Sequence, residues 1–263
     1  MDLSIKKSYK FVFNSRGCID RTLAECIQDT QMAICLNLQI LPQEEEQTSE
    51  QEIDAVVFDC DGVLLETIPA KLQAYMDWLP EQYEALREVY AAHNRKSFGQ
   101  SRSLQIQYFY EKLVGMNPVT KEFIEEEVER FAAICEPLCE AAPWAEGAKE
   151  FIQACRDAGS STYVLSGTPQ LELEVMLKQR MAMGLFDDVM GYPITKEQGL
   201  EKVRDNLGID PCRILFVGDA QRDAEAALAV GTHFVYRPSE ANRPTVDIVN
   251  EEVNLLDLLP LKS

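Results

Sequence analysis

The segment Val56-Val57-Phe58-Asp59-Cys60-Asp61-Gly62-Val63-Leu64-Leu65-Glu66-Thr67 runs from an apolar block into two carboxylates separated by one residue, then into a glycine. A near-continuous Val/Phe block is the pattern of a strand buried on both faces of a parallel sheet, and such sheets bind their ligands beyond the carboxyl ends of the strands. Asp59 and Asp61 stand at that end. Carboxylates this close repel each other, and both stay ionised only beside a cation or a network of donors. A divalent metal is the natural third partner. Taken alone, the same residues also describe a strand followed by an Asp-Gly turn with no chemistry, so the rest of the chain decides between the two.

From Ile53 onward, apolar strands alternate with amphipathic helices, the order that predicts a doubly wound parallel α/β sheet with right-handed crossovers. The candidate strands are 55–58, 162–165, 189–192, 213–217 and 233–236. Ala148, Phe151, Ile152 and Cys155 mark one helical stripe and Leu200, Val203 and Leu207 another, each followed by a glycine, Gly159 or Gly208. The alternation lapses once. Between about Pro69 and Ala142 no strand is evident, and the stripes Ile106, Phe109, Leu113 and Ile124, Val128, Phe131 predict a bundle of about four helices. That is too long for a crossover. It predicts an inserted α-helical domain at 69–142 placed to cover the site, with the core formed by 51–68 and 143–263.

Residues 1–50 stand apart. A strand-like stretch, Tyr9-Lys10-Phe11-Val12-Phe13, is followed by a mixed run and then, from Pro42 to Glu52, by a glutamate-rich segment with the composition of a solvated linker. No role can be read for this extension. The whole chain of 263 residues carries 44 acidic against 25 basic side chains, a formal charge of −19. Such a field repels nucleic acid and anionic lipid, so neither is expected as a partner. An anionic small substrate would need a local cluster of metal, Lys or Arg. Eight scattered cysteines, with only His93 and His233 besides, fit a reduced, cytoplasmic protein rather than a disulfide framework or a zinc site. Cys60 should point away from its flanking aspartates and pack. Neither a signal peptide nor a membrane span is apparent.

Three further segments carry candidate chemistry. Leu165-Ser166-Gly167-Thr168-Pro169 puts a hydroxyl at a strand end, with Thr168 and Pro169 patterned as a helix cap and first turn. Ordinary capping and an anion site both fit it. Lys196 opens the next helix, where the dipole disfavours a cation, which suggests either an anionic partner or simple exposure. In Leu215-Phe216-Val217-Gly218-Asp219-Ala220-Gln221-Arg222-Asp223, a second apolar strand ends in acid. Asp219 and Asp223 could cap a helix individually, but four acids from two strand ends are hard to read as caps.

Asp59-Cys60-Asp61-Gly62, Ser166, Lys196 and Gly218-Asp219 with Asp223 resemble, in order, the four motifs of the haloacid dehalogenase superfamily of phosphohydrolases. The helical insertion resembles the C1-type cap of its phosphoglycolate-phosphatase-like members. The resemblance implies Mg²⁺-dependent hydrolysis of a small phosphorylated metabolite. Asp59 would be the nucleophile that forms an aspartyl phosphate, and Asp61 the general acid and base. The metal would lie on Asp59, the Asp61 carbonyl and Asp219, with Asp223 a ligand or an orienting group for Lys196. Ser166 and Gly167 would bind phosphoryl oxygens while Lys196 neutralises charge. Arg102, in the locally basic stretch of His93, Asn94, Arg95, Lys96, Ser101 and Arg102, is the candidate substrate contact in the cap. A dehalogenase needs neither metal nor second acid, so it fits less well. A phosphomutase of the β-phosphoglucomutase type and a non-catalytic binding protein remain as alternatives.

Overall fold

The computed structural model describes residues 11–13, 49–51, 53–97 and 100–239. Two short strands, β1 (Phe11–Phe13) and β2 (Ser49–Gln51), pair antiparallel. The second of these lies in the segment expected to be linker. It is the correction the structure makes there: backbone pairing with β1 orders a stretch whose side chains alone suggest none. Residues 1–10, with Tyr9 and Lys10 of the strand-like stretch, the mixed run between the two strands and residues 240–263 lie outside the described residues.

The main sheet holds β3 (Ala55–Phe58), β4 (Ser161–Pro169), β5 (Asp188–Tyr192), β6 (Ile214–Gly218) and β7 (His233–Tyr236), all parallel, in the order β5-β4-β3-β6-β7. β3 is central because its side chains are fully buried on both faces. Val56 and Phe58 join Phe151, Leu215 and Val217 in one core. Ala55 and Val57 join Leu165, Phe216 and Leu200 in the other. That alternation is the period-two geometry of a strand, and each large side chain so buried contributes roughly 1.5–3 kcal/mol. The chain leaves β3 for β4 on one side and returns to β6 on the other, so the sheet reverses its winding beside the carboxyl end of β3. That reversal opens the crevice where ligands of doubly wound sheets sit.

Helices α1 (Ile68–Trp78), α2 (Arg87–Lys96), α3 (Arg102–Tyr108) and α4 (Lys121–Ala141) follow β3, with a single π-type turn at Phe109–Val114. They enclose a core of aromatic side chains: Trp78 packs edge-on to Phe109 at 5.4 Å, and Phe109 lies 4.8 Å from Tyr90. Ile106, Phe109, Ile124 and Phe131 are buried there. The remaining helices, α5 (Ala148–Asp157), α6 (Gln170–Gln179), α7 (Lys196–Leu207) and α8 (Gln221–Val230), flank the sheet. α7 begins with a capping box between Thr195 and Gln198 and buries Leu200 and Val203, whereas Leu207, at its last position, stays exposed. Arg180, just past α6, donates to the carbonyls of Cys139, Glu140 and Ala142 and so satisfies the end of α4. This ties the helical insertion to the sheet domain.

Candidate active site

Parallel register sets Phe58 beside Val164 and Val217, so the next step along the strands brings Asp59 level with Leu165 and Gly218. The Asp59 N–H donates to the Val217 carbonyl at 2.9 Å, which fixes its backbone. Its Oδ1 accepts from the Cys60 N–H at 2.7 Å and meets Lys196 Nζ at 2.8 Å. Lys196, the first residue of α7, also donates to the Leu165 carbonyl at 2.7 Å and pairs with Asp223 Oδ1 at 2.9 Å. The other Asp223 oxygen accepts from the N–H groups of Asp219 and Ala220. Asp223 thus holds both the turn after β6 and the lysine.

Gly62 has φ +74°, and a Cβ built there would lie 2.0 Å from Asp219 Oδ2. Only glycine lets the loop after β3 close over that carboxylate. Asp219 is buried, and its Oδ2 has no hydrogen-bond partner. Burial and the neighbouring Asp59 and Asp223 carboxylates push the Asp219 carboxyl well above the usual range. Asp59 is pushed up to about 7, chiefly by burial, with Lys196 opposing and Asp223 and Asp61 adding to the rise.

Among the described residues, Asp59, Asp219 and Asp223 offer ligand oxygens all within 4.8 Å of one another. A buried Asp219 oxygen without a donor, beside the Asp59 and Asp223 carboxylates, fits a hard divalent cation taking oxygen ligands. Asp223 suits an orienting place because Lys196 and backbone N–H groups occupy its oxygens.

Asp61 has its own surroundings. Its carboxylate accepts from Thr67 Oγ1 at 2.5 Å, Lys71 Nζ at 2.6 Å, Thr168 Oγ1 at 2.8 Å and Ser166 Oγ at 3.4 Å. Burial raises its pKa, but the Lys71 charge and these hydrogen bonds outweigh burial and hold it down to about 2. Lys71 and Thr67 carry no motif of their own in the sequence. The one local signal is a lysine closing the first turn of α1, where, as for Lys196, the helix dipole disfavours a cation.

Thr168 departs from its expected role. β4 continues to Pro169 and α6 starts at Gln170 without a side-chain cap, so the Thr168 hydroxyl turns to Asp61 instead. Ser166 is buried and accepts from the Thr168 N–H at 3.1 Å, while Gly167 is exposed at the strand end with open space around it.

Arg102, the candidate substrate contact, is engaged inside the protein. Both its terminal nitrogens donate to Glu172, at 2.8 and 2.6 Å, and its guanidinium lies over the Phe131 ring. The rest of the basic stretch does not form a cluster with it: His93 stacks on Tyr108, Asn94 is buried, and Arg95 and Lys96 are exposed. Between the helical insertion and the sheet lies a cavity of about 240 Å³, lined among others by Lys71, Thr168, Arg102, Glu172, Cys135 and Cys139. The two cysteines are free thiols, 3.6 Å apart, and Cys60 is packed in the core.

A parallel α/β core with acids gathered at the strand ends and a helical insertion above them defines a hydrolase scaffold. The family model described as haloacid dehalogenase-like hydrolase matches residues 53–231, and the chain belongs to that family. The chain is 25% identical to a phosphoglycolate phosphatase of Synechococcus elongatus over 182 residues, which cover 68% of this chain and 81% of the relative. It is 27% identical to an N-acetylmuramic acid 6-phosphate phosphatase of Pseudomonas aeruginosa over 192 residues, 68% of this chain and 79% of the relative. Its fold is similar to a crystal structure from Haemophilus somnus described as a predicted phosphoglycolate phosphatase, with a TM-score of 0.61 at 20% identity, covering 74% of this chain and 89% of that one. Among the described residues no helix is long and apolar enough to cross a membrane.

Proposed function

We propose that this chain is a magnesium-dependent phosphatase that hydrolyses a small phosphate monoester through an aspartyl phosphate on Asp59. The carrying observation is that the Asp59 carboxylate lies 2.8 Å from the Lys196 ammonium, beside an Asp219 oxygen that has no donor. The names of the two curated relatives, both phosphatases, support the same class.

In the first step an Asp59 oxygen attacks phosphorus, the ester P–O bond breaks, and the organic alcohol leaves. Lys196 opposes the burial that disfavours ionised Asp59 and draws charge from the phosphoryl oxygens, which also meet the Ser166 hydroxyl and the Gly167 N–H. Asp61 and Lys71, 2.6 Å apart, share one exchangeable proton, which passes through Asp61 to the leaving oxygen. In the second step Asp61 takes a proton from water, the water attacks phosphorus, and the Asp59–phosphorus bond breaks. The proton so gained restores the pair. Magnesium, held by Asp59, Asp219 and the Asp61 carbonyl, would offset negative charge on the phosphoryl group. The four-helix insertion acts as a cap that shapes the pocket for the organic part of the ester.

The test is inorganic phosphate release from a panel of phosphorylated metabolites, with and without Mg²⁺, by the full chain and by Asp59→Asn. Metal-dependent release that disappears in the variant is expected. Full activity in Asp59→Asn would falsify the mechanism.

A further inference from the structure

Resting on the phosphatase reading, the geometry points to a specificity role for Glu172. We propose that by occupying Arg102 it bars esters whose organic part carries a second negative charge and reserves the pocket for a small, uncharged alcohol.

Two cations line the cavity, Lys71 and Arg102, and each is already engaged by a carboxylate: Asp61 at 2.6 Å and Glu172 at 2.6 Å. The Arg102–Glu172 contact is a two-pronged fork between a planar guanidinium and a carboxylate, the geometry that an incoming carboxylate or second phosphate would otherwise claim. It is largely shielded, with the two side chains 17% and 20% exposed. Shielding of this order makes displacement of the internal carboxylate costly. The remaining charged lining residues, Glu136 and Glu140, are acids. The Glu136 carboxyl sits above its ordinary range because of burial and then the Glu172 carboxylate, with Arg102 opposing less. Its surroundings are therefore negative despite the arginine.

The other walls are apolar: Leu171, Val175 and Met176. A volume of about 240 Å³ falls below the 300–1,000 Å³ usual for drug-sized ligands, so the pocket suits a small alcohol. Glu172 sits in the first turn of α6 and Arg102 opens α3, so the pair also bridges sheet domain and insertion. The charge filter is set only when the two are together.

The experiment compares kcat/KM for glycerol 3-phosphate and 3-phosphoglycerate, a pair differing in a hydroxymethyl against a carboxylate. p-Nitrophenyl phosphate serves as a reporter of chemistry. The full-length protein should favour glycerol 3-phosphate by about tenfold or more, equivalent to about 1.4 kcal/mol. Glu172→Gln, which keeps the shape and frees the guanidinium, should move the ratio about tenfold towards 3-phosphoglycerate, mainly through KM. Adding Arg102→Gln should cancel that gain, which separates a charge effect from loosened structure. Preference of the full-length protein for 3-phosphoglycerate, or an unmoved ratio in a Glu172→Gln variant that still turns over p-nitrophenyl phosphate, overturns this inference and leaves the phosphatase reading standing. No release from any ester, the reporter included, overturns both.

Discussion

Asp219→Asn should stabilise the metal-free protein while removing its response to magnesium. Asp59 is pushed from 3.8 up to about 7 by burial and by the acids beside it. At 1.4 kcal/mol per unit, a rise of about three units corresponds to roughly 4 kcal/mol against the ionised form. Between pH 4 and 7 the folded chain holds a proton on Asp59 that the unfolded chain has released. Stability from this group therefore falls as pH rises through that window, and the full penalty is present above about 7. Asp219 contributes to the same repulsion through a buried carboxylate with an unpartnered oxygen. Replacing it by the neutral amide removes the cost of holding an ionisable carboxyl in that buried, acid-flanked place. A gain of about 1–3 kcal/mol at pH 8 without metal is expected, or roughly 2–12 °C in Tm for a chain of this size. Excess Mg²⁺ should raise the Tm of the unsubstituted protein by a similar amount, about 2.7 kcal/mol at a hundred times Kd, and leave the variant unmoved. Thermal melts at pH 8 in chelator and in magnesium provide the measurement. If Asp219→Asn melts lower than the parent without metal, or if magnesium stabilises both equally, the carboxylates do not form a cation site.

Two other substitutions probe neighbouring parts of the site. Gly62→Ala places a methyl 2.0 Å from Asp219 Oδ2 at a left-handed backbone position that costs about 1–2 kcal/mol for a residue with Cβ, so it should displace Asp219. Magnesium-dependent turnover should drop at least about tenfold, at roughly the energy of one misplaced ligand contact, and normal kinetics with normal metal affinity would refute this. Lys71→Met leaves the Asp61 carboxylate buried without its ammonium, a loss of roughly 3–5 kcal/mol for a pair whose side chains are only 16% and 10% exposed. Denaturant melts should show that loss, kcat should fall about 10²-fold or more, and Lys71→Arg should recover most of the stability. An unchanged kcat would remove Lys71 from the proton transfer.

The strands of the large sheet are legible because burial on both faces turns each into an apolar block, and the blocks end in the groups that matter. Asp59, Asp61, Asp219 and Lys196 can be singled out from their own local sequence. The surroundings of Asp61 cannot, because they are assembled across 105 residues from Ser166 and 107 from Thr168, and neither partner carries a local mark of the other. Thr168-Pro169 resembles a helix start because proline favours the first turn, yet Pro169 pairs with Tyr192 across a register shift and prolongs β4. Arg102 illustrates the reverse case. Its charge is evident from the sequence, but its neutralisation by Glu172, 70 residues away, depends on how the insertion docks.

The charge balance of the site connects its chemistry to the acidity of the whole chain. Asp59, Asp61, Asp219 and Asp223 are opposed at close range by Lys71 and Lys196, four acids against two ammoniums, and all six groups are buried or nearly so. In their ionised forms they leave a deficit of two positive charges, which one divalent cation cancels. A phosphate dianion entering before that cation meets a negative pocket inside a chain of formal charge −19. Burial strengthens the repulsion, since fewer intervening waters screen it. In the proposed reading, metal binding therefore precedes productive binding of the ester, and the affinity for inorganic phosphate measured by titration calorimetry should be strong only with magnesium present. Equal affinity in chelator would mean that Lys196, Ser166 and Gly167 alone hold the anion, and the acids would then need another purpose.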